Sequence, residues 1–233
     1  MQRGAGLVVL GTAIAAAALF IIFPRLDITV SRLMVSSRGR FLLYFEGFSY
    51  HFHLALQYVA PAILVFCLAA IIAWLSRRPI GGITAWQAIY VALVIAIGPG
   101  LLVNVVLKDN SHRPRPVTVQ EFGGQEPYTP PFDFSGSCDE NCSFVSGDPA
   151  IGFALLAPAL LLPTGRRRAG VAAALGLGAA LGIMRMLQGA HFLSDVVFCA
   201  IVVAATVLTL RWAMFETDGS PRGAWGRRLS SHV

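Results

Sequence analysis

Six stretches of this 233-residue chain are long, apolar and almost free of charge, and that pattern limits its fold more than any other feature. The stretches run over residues 5–23, 54–75, 84–107, 149–163, 170–187 and 195–215. A bilayer core about 30 Å thick needs about 20 apolar residues in helical form, and inside it every backbone N–H and C=O must be paired within the segment. Only 13% of the residues are charged and 56% are apolar, against about 25% charged in soluble domains. The expected fold is therefore all-α: a polytopic membrane helical bundle of about six transmembrane helices, forming one domain over residues 1–233. The first stretch has no small-residue cleavage site with a soluble domain behind it, so it reads as a span and not as a signal peptide. The fourth is short and is expected to be inset or shielded by protein. Gly98-Pro99-Gly100 predicts a kink in the third, and the Ala- and Gly-rich fifth predicts close helix packing.

Between the first two spans, residues 25–53 mix polar residues with Phe41, Tyr44, Phe45, Phe48, Tyr50 and Phe52. Such aromatic density suits a helical segment lying at the headgroup level. His51 and His53 fall there and read as surface or anchoring residues.

Orientation follows from the basic residues. Six spans put both termini on one side, together with Arg3, Arg77, Arg78, Arg166, Arg167, Arg168 and the tail of residues 216–233. The positive-inside rule makes that side cytoplasmic, although Arg25, Arg32, Arg38 and Arg40 fall on the other. The active-site loop, residues 108–148, then faces outward. Cys138 and Cys142 in that loop are candidates for a disulfide, which agrees with an oxidising compartment; Cys67 and Cys199, inside apolar stretches, read as packing residues. The net charge of +6 comes in short groups without aromatic-flanked basic patches, so no nucleic-acid partner is expected. No Cys or His spacing suggests a metal.

Three short segments hold nearly all the remaining ionisable residues, and the topology brings them to one outer face. They are Lys108-Asp-Asn-Ser-His112-Arg113-Pro-Arg115, Ser143-Phe-Val-Ser146-Gly147-Asp148, and Arg185-x5-His191-x3-Asp195. Lys108, Arg115 and Arg185 supply cations for an anion. Ser146 and Gly147 precede a helix start, where free N–H groups favour phosphate. His191 and Asp195 share a helical face, so that the carboxylate orients the imidazole and frees its other nitrogen for attack. The chemistry expected is phosphoryl transfer with no cofactor.

Lys108-x6-Arg115-Pro116, Ser146-Gly147 and Arg185-x5-His191-x3-Asp195 together resemble the three-part signature of the type 2 phosphatidic acid phosphatases, relatives of the vanadium haloperoxidases. The resemblance implies that Lys108, Arg115, Ser146, Gly147 and Arg185 hold phosphate. It implies too that His191 attacks phosphorus to give a phosphohistidine, oriented by Asp195. The family has a histidine after Ser-Gly to protonate the leaving oxygen, and this chain has Asp148 there. Asp148 before Pro149 reads as a helix N-cap, as the acid, or as a salt-bridge partner, and His112 is the nearest substitute acid in sequence. Arg113 reads as a loop salt bridge or headgroup contact, with an accessory phosphate ligand as the alternative.

The stretch from Cys138 to Gly147 is similar to bacterial lipid A phosphatases of the family. The expected function is thus a phosphatase acting on a phosphorylated lipid, with lipid A favoured, at the periplasmic side of a bacterial inner membrane. Undecaprenyl diphosphate, phosphatidylglycerophosphate and phosphatidic acid are alternative substrates. A non-catalytic lipid-phosphate binder or transporter is the alternative from another class.

Overall fold

The computed structural model describes residues 2–44, 47–216 and 219–230, with the backbone alone at residues 2, 3, 48 and 49. Phe45, the Phe48 ring, the Arg3 side chain and residues 217–218 and 231–233 of the tail lie outside the described residues. The described chain is helical, with isolated bridges in place of strands. The helices are α1 (Gln2–Ile22), α2 (Leu26–Arg32), α3 (Gly47–Leu56), α4 (Val59–Leu75) and α5 (Ala85–Ile95). A π-helical stretch, Ala96–Leu107, carries α5 onward into α6 (Lys108–Asn110). After the long loop come α7 (Gly147–Ala154), α8 (Leu156–Leu161), α9 (Thr164–Leu187), α10 (Leu193–Met214) and α11 (Gly223–Arg228).

Among the described residues, five segments are long and apolar enough to cross a membrane: Gly4–Ile22, Tyr50–Leu75, Ala85–Asn110, Thr164–Leu187 and Leu193–Met214. The fourth expected span is instead the α7–α8 pair, Gly147–Leu161. At 1.5 Å per residue it is about 22 Å long, short of the ~30 Å core. With the five long segments it makes six apolar elements, the fourth short and largely buried by its neighbours, as its length predicts. The apolar side chains that stay exposed, among them Leu7, Ile14 and Ile21 on α1 and Val65, Phe66 and Ile72 on α4, are those a hydrocarbon phase would cover.

Local chemistry accounts for the elements around the site. Helix α5 starts at a capping box: Thr84 Oγ1 accepts from the Gln87 N–H (3.3 Å) and Gln87 Oε1 accepts from the Thr84 N–H (3.1 Å). Where Gly98-Pro99-Gly100 predicted a kink, the hydrogen-bond pitch widens to the π form. Pro99 has no N–H to offer, and Asn104 Nδ2 donates to its carbonyl at 2.8 Å. Helices α7 and α9 cross backbone to backbone. A Cβ at Gly152 would lie 2.7 Å from the Gly178 Cα, and one at Gly178 would lie 2.3 Å from the Phe153 ring. Gly182 in turn receives Val196 of α10. With Gly170 and Ala174, these glycines put a small residue on one face every four positions, which lets three helices meet closely.

Residues 25–53 are not one interfacial helix. Helix α2 buries Asp27 and Ile28 against the long loop, residues 33–44 run as turns, and the Tyr50–Leu56 part of α3 continues towards α4 as one apolar segment. The turn segment is tied down by the Leu43 N–H, which donates to the Leu187 carbonyl (2.9 Å).

The loop between α6 and α7 is ordered by its own backbone bonds. Cys138 N–H donates to the His112 carbonyl (3.0 Å), Ser143 N–H to the Arg113 carbonyl (2.8 Å), and Val117 N–H to the Gly189 carbonyl (3.0 Å). Cys138 and Cys142 are joined as a disulfide with Cα atoms 5.7 Å apart.

Candidate active site

The end of the π stretch, the start of α7, the end of α9 and the start of α10 all reach one end of the bundle, because α7–α8 and α9 run antiparallel. The α9–α10 turn closes on Gly189 at φ +69°, a left-handed position where a Cβ would also strike the Phe41 ring at 2.5 Å. This sharp turn brings Arg185 and His191 to the same place.

A cavity of about 250 Å³ opens there, lined by Leu43, Tyr44, Tyr50, His53, Arg115, Val117, Arg185, Gln188 and Ala190. Two of the expected phosphate-holding residues, Arg115 and Arg185, are in its wall. Arg115 is fixed by the Asn141 carbonyl, which accepts from Nε (3.1 Å) and Nη2 (2.8 Å). Burial and the neighbouring Arg185 guanidinium pull Arg115 below its ordinary pKa, as expected for cations gathered without enough negative charge. Arg185 Nη1 donates to Gln188 Oε1 at 2.6 Å. Lys108 belongs to the same charge cluster, feeling Arg115, Arg185 and Asp148. A Cβ on Gly147 would come within 3.9 Å of its Nζ and 2.9 Å of Asn104 Oδ1, so a side chain there would have to displace the Asn104 amide.

Ser146 is the N-cap of α7 by backbone, yet its buried hydroxyl caps nothing and has no hydrogen-bond partner among the described residues. A buried polar oxygen beside a helix N-terminus and a cation cluster suits a ligand oxygen. The N-cap reading of Asp148 is thereby corrected: it is the second residue of the helix. Its Oδ2 lies 2.6 Å from His53 Nδ1 and 3.3 Å from Arg185 Nε. A carboxylate hydrogen-bonded to His53 and ion-paired with Arg185 is favoured in its charged form, which disfavours it as a proton donor and favours the salt-bridge reading.

His191 is 2% exposed. Its Nδ1 lies 2.7 Å from the Ser143 carbonyl. A carbonyl can only accept, so Nδ1 carries the proton and Nε2 keeps its lone pair. The sequence assigned that orienting bond to Asp195, but Asp195 Oδ2 stands 3.6 Å away. Asp195 instead accepts from the Ser143 hydroxyl, from the Phe192 N–H (2.7 Å) and from Arg113 Nη1 (2.5 Å). It steadies the residue that orients the imidazole and adds a negative charge nearby. Burial, with Arg115 and Arg185 acting in the same sense and Asp195 opposing, lowers the His191 pKa to about 4. The neutral imidazole that this favours is the form nucleophilic attack requires.

Arg113 is 1% exposed and does not line the cavity. Its guanidinium spans Asp195, Asp27 (2.7 Å), Ser194 Oγ (2.8 Å) and the Thr129 carbonyl (2.9 Å), with its plane over the Phe192 ring at 4.4 Å. Burial opposes its charge, but Asp195 and Asp27 outweigh burial and raise its pKa. The salt-bridge reading of Arg113 describes this contact set. His112 sits exposed at φ +49°, its Nδ1 donating to the Cys138 carbonyl (3.0 Å), and is absent from the cavity wall. Its place as a substitute acid is not supported. The sequence reading missed Asp27, Ser143, Ser194 and the pairing of His53. Only the missing histidine after Ser146-Gly147 hinted at the last.

Comparison with known proteins gives concordant results. Three curated relatives carry the name Lipid A 4'-phosphatase. The one from Francisella tularensis subsp. novicida (strain U112) is 42% identical over 189 residues, covering 79% of this chain and 84% of its own length. The one from Rhizobium leguminosarum is 41% identical over 128 residues, 53% of this chain and 55% of its own. That from Rhizobium etli is 40% identical over 119 residues, 50% of this chain and 46% of its own. No solved structure matches. The model of the PAP2 superfamily matches residues 85–219, which hold all three sequence segments and more than half of the chain, so the chain belongs to the PAP2 superfamily.

Proposed function

We propose that the protein is a membrane phosphatase that hydrolyses a phosphate monoester of a lipid of the lipid A type. The observation that carries the reading is the meeting of Arg115 and Arg185 in one cavity wall, with the buried His191 close enough to feel both cations and its Nδ1 committed to the Ser143 carbonyl. Lys108, Arg115, Arg185, the Ser146 hydroxyl and the α7 N-terminus bind the phosphate oxygens and spread the charge that develops on them. His191 Nε2 attacks phosphorus, the lipid alcohol leaves, and water then hydrolyses the phosphohistidine. The protein's cations supply the charge stabilisation, so the mechanism calls for no metal. The relatives named Lipid A 4'-phosphatase support the substrate class.

The cavity faces the periplasm of a bacterial inner membrane in this reading, with both termini cytoplasmic. The disulfide in the active-site loop and the arginines at the opposite end support that orientation. The protein acts as one domain, and its partner is the lipid itself.

Phosphate release from lipid A, undecaprenyl diphosphate, phosphatidylglycerophosphate and phosphatidic acid, each with and without EDTA, tests the proposal. The expected result is EDTA-resistant release, fastest from lipid A and abolished by His191→Ala. Release abolished by EDTA, or undiminished in His191→Ala, contradicts it.

A further inference from the structure

We propose that His53 is the general acid and base of this reaction, oriented by Asp148, and that it reaches the site from α3 rather than from the Ser-Gly segment. This role rests on the phosphatase reading above and deepens it.

Departure of a sugar or alkyl alkoxide from phosphorus needs a proton, and a side chain in hydrogen-bond reach must give it. Asp148, in the position after Ser146-Gly147, is poorly suited, because its Oδ2 already faces His53 Nδ1 at 2.6 Å and Arg185 Nε at 3.3 Å. A carboxylate in that position fixes the imidazole with Nδ1 protonated and stabilises the imidazolium, which leaves Nε2 to exchange protons. His53 lines the cavity beside Arg115 and Arg185, and its side chain is 23% exposed. It is thus in reach of both a leaving alcohol and water. Its Nε2 meets the exposed Gln57 amide at 3.5 Å, a long contact that a substrate oxygen displaces readily.

The chain has five histidines. His191 is the nucleophile, His112 is tied to the Cys138 carbonyl outside the cavity wall, and His232 lies outside the described residues. His51, two positions before His53 on α3, is exposed and packs against Tyr50; two residues along a helix is about 200° of rotation. Among the described histidines, His53 alone combines a side-chain carboxylate at hydrogen-bond distance with a place in the cavity wall.

The two steps balance. In the first, the His191 Nε2–P bond forms, the P–O bond to the lipid breaks, and the Nε2 proton of the His53 imidazolium passes to the leaving oxygen. In the second, neutral His53 takes a proton from water as the water oxygen attacks phosphorus and the P–N bond breaks. His191 is freed, inorganic phosphate leaves, and His53 is an imidazolium again.

A leaving-group comparison distinguishes this role from a structural one. The full chain in detergent is mixed with two phosphate monoesters bearing the same acyl chain, one alkyl and one 4-nitrophenyl, and followed by rapid quench. His53→Gln is expected to slow alkyl alcohol release about 10²-fold or more, while the nitrophenolate burst stays within about tenfold of wild type, because that leaving group needs little proton help. The burst is then followed by a slow steady state, since the second step lacks its base. Asp148→Asn shows the same selectivity with smaller losses. Equal slowing of both esters, or of neither, overturns the role of His53 and leaves the phosphatase reading intact. A wild-type chain that releases no phosphate, or a His191→Ala chain as active as wild type, instead removes the phosphatase reading and this inference with it.

Discussion

Arg113 and Asp27 form a fully buried ion pair behind the cavity. A guanidinium at 1% exposure between two carboxylates at 0% is stable only as a complete set. Arg113→Ala strands Asp27 and Asp195 and is expected to cost about 3–5 kcal/mol. A large drop in melting temperature in detergent checks this; an unchanged melt shows the charges to be independent. His191 adds a pH dependence. Its folded pKa of about 4 lies below the unfolded value of 6.5, so between those values the unfolded chain binds a proton that the folded chain refuses. Stability from this group is complete above about pH 6.5 and falls by about 3 kcal/mol as pH drops to about 4. Wild type is expected to lose more melting temperature between pH 7 and 4.5 than His191→Gln does, and equal losses contradict the buried neutral imidazole.

At the scale of elements, the site depends on how closely α7 approaches α9. Gly178→Ala puts a methyl carbon into the Phe153 ring, whereas a Cβ at Gly176, two residues earlier, meets nothing within 4 Å. The first is expected to destabilise by about 1–3 kcal/mol and to raise KM by moving the α7 N-terminus. The second is expected to be neutral or slightly stabilising, since alanine is the better helix former. Equal effects on melting would show that the small-residue face does not set the approach. The α5 start at Thr84 and the π-disturbed Gly98-Pro99-Gly100 were legible because their chemistry is local. The shortness and shielding of the α7–α8 pair were legible from its length, whereas the break at Leu155 was not, because apolar run length is blind to it. The contacts of Asp27 and His53 join residues 86 and 95 positions away, and no spacing rule reports such a pairing. Lys108, Arg115, Arg185 and His191 were legible because one end of the bundle gathers their three segments. The bond between His191 and the Ser143 carbonyl was not, because a backbone acceptor leaves no mark in residue type.

For the whole molecule, the arrangement predicts a charge-sorted topology. The disulfide-bearing loop and Arg166–Arg168 lie at opposite ends of the bundle, before α7 and at the start of α9. A cysteine at Glu140, in a chain with Cys138→Ser and Cys142→Ser, is expected to react with a membrane-impermeant maleimide in intact spheroplasts. One at Arg167 is expected to react only after permeabilisation. The reverse pattern would put the site on the cytoplasmic face and remove the periplasmic reading.

Attack by His191 at a phosphorus held by Lys108, Arg115 and Arg185 underlies every step of the proposed reaction. Rapid acid-free quench of the purified chain with lipid A, followed by peptide mass spectrometry, tests it most directly. A phosphoryl group is predicted on the His191 peptide within the first turnover, absent in His191→Ala. Turnover at the wild-type rate with no phosphoryl group on that peptide would contradict it.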